Sequence, residues 1–433
     1  MRTSCRKEGN TAAPRIRPVR HGGLAEPRLP GNAVVIGAGI TGSLVAHALA
    51  ARGWSVTVLE AQHVGAGSSS RTAAGIRQQF STPLTVAGMR YSVEFYANFR
   101  ERVGGEERPI VQQGYLFLLA MQEHVDEAYA RVRMQQGLGV GAEVLDHEGL
   151  AERFPWVERS AVLGATFCPT DGFLHPATVY NEAMAAAQRL GARLVQHAPV
   201  TGCERVGQRI VSVSTPRGSF AADLFIDATN AWSPRLARVL GATELPIAPL
   251  KRYLWFIQRD GPLSADELAA MPLVVTPSGA YCRPESRESL LVGWAHDARP
   301  EPDFDYDDQD RVEEAFSHRS GTDSLAFAAW ASVAEVIPRV GEFAGITATT
   351  CGYYATTPDH NPFLAYDPQV SNLVRLAGFS GHGAMFGPFT ALVAATLADT
   401  GRDVSHVSVG FTDVPMCDFA IGREYRHAER LVI

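Results

Sequence analysis

Gly37, Gly39 and Gly42 stand at G-x-G-x-x-G spacing, and a carboxylate, Glu60, follows about twenty residues on. Residues of those types in that order suit a dinucleotide. Gly37 permits a tight turn, Gly39 lets backbone approach a pyrophosphate at a helix N-terminus, and Gly42 lets that helix pack closely on the preceding strand. Glu60 can accept hydrogen bonds from a ribose. Its charge argues against a 2'-phosphate, because like charges repel, and this unit leaves NAD and FAD both open. A second glycine-rich turn, Gly378-Phe-Ser-Gly-His-Gly383, follows an apolar run and precedes a helix, so it too suits negative charge. His382 within it can polarise a bound group, act as a base, or simply hydrogen-bond to backbone. Asp359 follows Pro358 and reads as closing a turn. The six cysteines (Cys5, Cys168, Cys203, Cys282, Cys351, Cys417) lie far apart without a C-x-x-C pair, and read as free thiols in a reducing compartment with no metal site.

The elements that position these groups follow from hydrophobic periodicity. Residues 34–36 read as a buried strand, 44–49 carry one apolar helix face ending before Gly53, and 56–59 form the next strand. After Glu60 comes a loop of small and hydroxyl residues, 65–75, then a helix over 84–103, a strand over 114–119 and a helix over 125–136. From 171–176 the chain enters a helix that stops at Gly191. Short strands at 193–196, 199–205, 210–214 and 220–227 read as an antiparallel meander beside the parallel sheet, since their turns are short. The last of them delivers residues 228–233, a strand-to-helix turn returning to the nucleotide. Further strands lie at 253–258, 273–276 and 290–294, the acidic stretch 301–310 reads as a solvated loop, and a helix over 389–399 follows Pro388.

At 433 residues the chain is long enough for two domains. Its 46% hydrophobic and 20% charged residues are ordinary for a soluble enzyme, and a net charge of -7 disfavours nucleic acid as the main partner. Residues 1–30 are basic and rich in Pro and Gly, with no apolar stretch for a signal peptide, and read as a disordered tail or a start codon placed too early rather than as targeting, an organelle transit peptide being the minor alternative. The apolar window 384–398 is too short for a membrane span and contains Gly387 and Pro388. A cytoplasmic location is the default expectation.

Taken in order, the segment 34–60, Ser68-Ser-Ser-Arg71, Gly75-Ile-Arg-Gln-Gln-Phe80, 171–176, 228–233, Thr357-Pro-Asp-His-Asn-Pro362 and 378–383 resemble the D-amino-acid oxidase superfamily of FAD-dependent oxidoreductases. The likeness is to its glycine oxidase, sarcosine oxidase and proline dehydrogenase β-subunit branch, and it spans residues 33–400. It implies an α/β fold: a Rossmann-like FAD-binding domain of the glutathione-reductase type, with a second, α+β domain built on a large mixed β-sheet. The implied division is FAD-binding for 31–80, 166–246 and 341–400, substrate-binding for 81–165 and 247–340, and a C-terminal extension over 401–433.

The resemblance also settles the choice of cofactor on FAD. It assigns cofactor contacts to Gly37, Gly39, Ile40, Thr41 and Gly42, then to Glu60, Ala61, Ser69, Ser70 and Arg71. Val200, Thr229, Asn230 and Trp232 follow, and Gly378, Ser380, Gly381, His382 and Gly383 complete the set. Arg77 matches the arginine that pairs with a substrate carboxylate, a bidentate acceptor its guanidinium suits. Tyr281, Arg283 and Tyr354 fall at the implied active-site wall, with His382 beside the flavin. Where relatives attach FAD through cysteine this chain aligns Gly352, and strand alternation turns Cys351 the other way, so FAD is expected to bind without a covalent bond.

The implied reaction is oxidation of the C–N bond of a small amine or amino acid, with secondary, N-methyl or cyclic amino acids favoured. Hydride passes to flavin N5, an imine results, and O2 or another acceptor takes the electrons. Three departures bear on this. Met385 stands where sarcosine oxidase has a second carboxylate anchor, Leu291 lies near the position of its oxygen-activating lysine, and Asn230 replaces a usual glycine. They motivate the alternative of a non-catalytic FAD-containing assembly factor, or a subunit of a larger hetero-oligomeric dehydrogenase. A role on aminomethylated tRNA bases is disfavoured by the negative charge.

Overall fold

The computed structural model describes residues 29–294, 306 and 310–431. The expected basic tail lies outside these residues apart from positions 29 and 30, and so does the acidic stretch 301–310 apart from Tyr306 and Asp310. Strand β1 (Asn32–Ile36), helix α1 (Ile40–Ala50) and strand β2 (Ser55–Leu59) form the expected unit, with β1 and β2 parallel from Asn32 opposite Ser55 to Ile36 opposite Leu59. They sit in a six-stranded sheet in the order Phe363–Tyr366, Leu373–Ala377, Leu224–Asp227, β1, β2, Arg193–Val195. All its neighbours are parallel except the first pair.

The strand Arg193–Val195 therefore belongs to the parallel sheet, correcting its expected place in a meander. The meander is the separate three-stranded sheet Gly202–Val206, Arg209–Thr215 and Gly218–Ala221. The run 220–227 is two strands in two sheets, because the chain leaves the meander at Ala222 and enters the parallel sheet at Leu224. Its C-terminal residue starts a buried ionic cluster. Arg375 Nε donates to Asp227 at 3.0 Å and Arg375 Nη1 to Asp367 at 2.9 Å, with all three side chains shielded from solvent. Asp227 in turn accepts from the Thr229 amide and hydroxyl and from the Ser233 hydroxyl, which shapes the turn leaving the strand.

A helix at Gly383–Thr400 packs on α1, so tightly at Gly387 that a Cβ there would lie 2.9 Å from the Ile40 side chain. Sequence places its start after Pro388, but the helix begins six residues earlier, at Gly383, with the proline inside. Proline has no amide to give the carbonyl four residues back, Ala384. The Tyr96 hydroxyl, from the helix Pro83–Ala97, donates to that carbonyl at 2.7 Å instead.

The second sheet has eight strands, including Tyr115–Leu119, Gly164–Cys168, Ala248–Asp260, Tyr281–Pro284, Ser289–Gly293 and Glu342–Thr356. Its spine is the antiparallel pair Ala248–Asp260 and Glu342–Thr356, in which Arg252 opposes Gly352. Alternation along Ala248–Asp260 divides two environments. Tyr253, Trp255 and Ile257 join a core cluster with Phe316 and Trp330, whereas Leu254 joins Tyr115, Tyr281 and Leu291 on the other face. Glu342–Thr356 and Gly164–Cys168 both pair within this eight-stranded sheet and not with the six-stranded one.

Candidate active site

The two glycine turns face one another across a cleft of about 660 Å³. At one end Glu60 Oε2 accepts from the Ala38 amide at 2.8 Å and its Oε1 from the Gln62 amide at 2.9 Å, and burial raises its pKa. Gly37, Gly39, Ile40 and Thr41 form the floor, and Ala61, Pro199 and Val200 wall the same end. Val200 lies in the loop before Gly202–Val206, not in a strand. Gly42 does not reach the cleft. A Cβ there would lie 1.9 Å from the Gly37 carbonyl oxygen, so its role is to let helix and turn touch.

The loop after β2 closes over this floor. Ser69 Oγ accepts the Ile40 amide at 2.9 Å, and Ser68 and Thr72 line the cleft where sequence pointed only to Ser69, Ser70 and Arg71. Ser70 turns outward and bonds back to the Gly67 carbonyl. Arg71 ties the loop together through the Ala66 and Gly67 carbonyls and pairs with Asp310 at 2.5 Å, so this acid of the expected solvated loop is engaged.

Thr229, Asn230 and Trp232 line the opposite wall. The departure at Asn230 has a physical account. Its φ of 49° is the left-handed conformation that glycine favours and asparagine tolerates, and its Oδ1 accepts the Gly378 and Phe379 amides at 3.2 and 3.3 Å. A glycine could not join the two turns in this way. Gly378 and Ser380 stay behind the wall, packed against Thr357, while Gly381 and Gly383 face the cleft.

At the far end the cleft opens into a bay of about 50 Å³. Both share Arg71, Thr72, Tyr354, Gly381 and Ala384. The bay brings together Arg77, His382, Tyr281 and Tyr354 from the sequence candidates, with Tyr115 and Arg252 in addition. Arg283 is not among its lining. Its Nε donates to the Ala73 carbonyl at 2.8 Å and its Nη1 pairs with Glu285 at 2.6 Å, bracing the loop instead. Met385 lines the bay, as an apolar wall.

Arg77 is fully buried, its guanidinium 3.9 Å from the centre of the Phe80 ring. Nη1 donates to the Gln79 carbonyl and Nη2 to that of Leu431, while Nε has no partner among the described residues. The C-terminal extension thus reaches Arg77 through the Leu431 carbonyl. It is fastened by Arg423, which pairs with Asp359 through 2.7 Å contacts, and by Glu429, which accepts the Ser81 amide. Asp359 also accepts the Asn361 amide, the turn expected from sequence. His382 Nε2 lies 3.5 Å from Arg77 Nη2, and burial with the adjacent guanidinium holds its pKa well below the usual value, so the ring is neutral. Behind Arg77, Asp171 is fully buried and accepts from the Gln78 amide and both Gln78 and Gln79 side chains. Burial pushes its carboxyl up to about 6.

A parallel sheet with a glycine turn, a carboxylate just past the second strand and a second sheet at the far end of the cleft defines a dinucleotide-binding domain. Residues 32–397 match the DAO family, FAD dependent oxidoreductase, and the chain belongs to that family. FAD-dependent oxidoreductase domain-containing protein 1 of Xenopus laevis is 26% identical over 435 residues, covering 90% of this chain and 82% of that protein. Glycine oxidase of Geobacillus kaustophilus (strain HTA426) is 26% identical over 375 residues, covering 84% and 92%. Among solved structures, L-proline dehydrogenase from P. horikoshii superposes with a TM-score of 0.76 at 30% identity, covering 88% of this chain and 95% of that one. The cofactor is FAD. The lining fits it: bare glycine backbone at both turns, an acceptor carboxylate, Glu60, at one end that would take a ribose hydroxyl, and an aromatic-walled bay at the other that would take the ring. No helix of the described residues is long and apolar enough to cross a membrane.

Proposed function

We propose that this protein oxidises the C–N bond of a small secondary, N-methyl or cyclic amino acid to an imine, which water then hydrolyses. The observation that carries this is the fully buried Arg77, whose Nε lacks a partner among the described residues, in a bay with no Asp or Glu in its described lining. A buried cation of this kind suits a carboxylate. Glycine oxidase and L-proline dehydrogenase, named above as relatives, act on amino acids by their names. A bay of about 50 Å³ accepts only a few water-sized groups, at roughly 10–15 Å³ each, which favours a short substrate. Arg77 orients the carboxylate, the tyrosine and leucine walls exclude water, and neutral His382 adds no charge. The guanidiniums disfavour an ammonium, so the amine enters deprotonated, the form whose lone pair drives loss of the α-hydrogen. Bound FAD supplies the two-electron acceptor.

Two finer readings belong to the same proposal. Cys351 sits in the core cluster with its Sγ toward the Arg311 carbonyl, which supports FAD held without a cysteine link. Leu291 lies on the bay-side face of the sheet, and Lys251 on the opposite face with Glu313, which supports an electron acceptor other than O2. An anaerobic screen of primary, secondary and N-methyl amino acids for loss of flavin colour, followed by timed reoxidation in air, tests the reaction and the acceptor. Arg77→Met should weaken substrate binding at least about ten-fold; unchanged binding would remove the clamp. A second reading, a non-catalytic FAD-containing subunit, is supported by the Leu431 and Gln79 carbonyls already on Arg77. Absence of reduction by the whole panel, with a co-purifying partner, would favour it.

A further inference from the structure

We propose that Asp171 is a positioning residue for Arg77: it sets the direction of the guanidinium through Gln79 and competes for its charge once a carboxylate binds in the bay. That a carboxylate is the ligand rests on the amino-acid reading above, while the placement of Asp171 rests on the fold. Gly75–Ile76 pairs antiparallel with Gly172–Leu174, Gly75 opposite Phe173 and Ile76 opposite Gly172, so Arg77 and Asp171 are the next residues beyond the ladder. Asp171 is fully buried and is not among the lining of the bay, so it acts through its neighbours. Its Oδ1 accepts the Gln78 amide at 2.9 Å and Gln78 Nε2 at 3.0 Å, and its Oδ2 accepts Gln79 Nε2 at 3.1 Å. Gln79 Nε2 also donates to the Tyr115 carbonyl at 2.9 Å, and the Gln79 carbonyl accepts from Arg77 Nη1. One carboxylate thus fixes both glutamines, and with them the carbonyl that turns the guanidinium.

The same position makes the charge of Asp171 felt at Arg77. Arg77 lies within electrostatic range of two carboxylates, Asp171 and, from the C-terminal extension, Glu429. Burial pushes Asp171 up to about 6, so its charge changes close to neutral pH. Around it Cys168 is pushed up to about 12, Tyr115 and Tyr354 are raised by burial, and His382 is held neutral, so none of these changes charge there. A ligand carboxylate brought to Arg77 places a second negative charge near Asp171 and raises its pKa further. Below about 6 Asp171 is already neutral and binding is strongest. As pH rises through that value each binding event takes up a proton, and affinity falls toward a weaker limit. A raise of one pKa unit separates the two limits about ten-fold.

The test titrates FAD-loaded protein with acetate and with uncharged acetamide while the visible flavin spectrum is followed. Acetate should bind about three-fold or more weaker at pH 8.5 than at pH 6, with acetamide unchanged. Calorimetry in two buffers of different ionisation heat should register proton uptake with acetate, a reading on the unaltered protein that stands even where a variant fails to take FAD. Asp171→Asn should bind acetate with a Kd independent of pH, and at pH 8.5 about three-fold tighter than the unaltered protein, whereas a merely structural loss weakens binding at every pH. Gln79→Met cuts the route and keeps the charge, so Kd should rise about three-fold or more at every pH with the slope retained. A flat profile in the unaltered protein, a slope that survives Asp171→Asn as one arising at Glu429 would, affinity untouched by Gln79→Met, or no acetate binding at all overturns the assignment. An Asp171-dependent slope in a protein whose flavin no amine reduces overturns the proposed reaction and leaves the positioning role standing. Reduction by N-methylglycine with acetate affinity indifferent to Asp171 does the reverse.

Discussion

Replacing Arg375 by Met removes the only cation in contact with two buried carboxylates among the described residues, those of Asp227 and Asp367. Breaking a buried pair by deleting one partner costs about 3–5 kcal/mol, because the remaining charge stays desolvated. The partners soften this. Asp227 keeps the Thr229 amide at 3.0 Å and two hydroxyls, and Asp367 keeps the Thr243, Gln369 and Val370 amides. We therefore expect the low end, about 3 kcal/mol, read as a shift in the urea midpoint of the apoprotein by far-ultraviolet circular dichroism. The double variant Arg375→Met, Asp227→Asn should cost less than the sum of its single changes by about 1 kcal/mol or more, since the sites share one network. FAD affinity should fall as well, because the Thr229 to Trp232 turn is built on Asp227. A loss under about 1 kcal/mol, or strict additivity, would refute the view that ionic contact holds these strand ends together.

Three other perturbations separate the contributions around the site. Asp171→Asn tests a carboxyl that burial lifts to about 6 from an ordinary 3.8. A raised carboxyl favours the fold fully below its unfolded value and loses that contribution as pH rises through about 6, so native protein should lose about 2 kcal/mol relative to the variant between pH 4 and 7; a pH-independent difference would count against it. Gly42→Ala forces a methyl into the Gly37 carbonyl, and the protein should purify with little flavin per chain; full flavin content would show that the turn can yield. Tyr96→Phe leaves the Ala384 carbonyl without its donor and should cost about 1–3 kcal/mol in chemical denaturation, whereas no change would mean that the phenol is not the proline's stand-in.

What could be read from sequence was what depends on near neighbours. Gly37, Gly39, Glu60, Gly381 and Gly383 carry their conformational demands within a few residues, and they line the cleft, while Gly42 packs behind it. Failures came where a distant partner decides. Nothing in the run 220–227 says that Ala222 and Asp223 separate two sheets, since alternation reports a strand but not which strand lies beside it. Pro388 is a sound local stop for a helix until a hydroxyl from Tyr96 replaces the missing amide. The face that Arg252 takes is set by a thirteen-residue ladder with Glu342–Thr356, while Arg283, at an equally suggestive place, is drawn away by the Ala73 carbonyl and Glu285. The grip of residues 423–431 on Arg77 and Ser81 has no sequence signature at all.

The ladder between Ala248–Asp260 and Glu342–Thr356 is not uniform along its length. From Ala248 opposite Thr356 to Phe256 opposite Ala348 the register runs without a break, and both irregularities fall beyond it, after Phe256 and after Gln258. One inserted or deleted residue in the unbroken part would exchange the faces of Lys251 and Arg252, driving a guanidinium into the core and an ammonium away from Glu313. Past Phe256 the bulges already absorb such slips. The same pair of strands thus has a reading frame at one end and none at the other. Length variation among related chains should collect at residues 257–260 and 342–347, so that this sheet can be lengthened or reshaped at that end while Lys251 and Arg252 keep their faces.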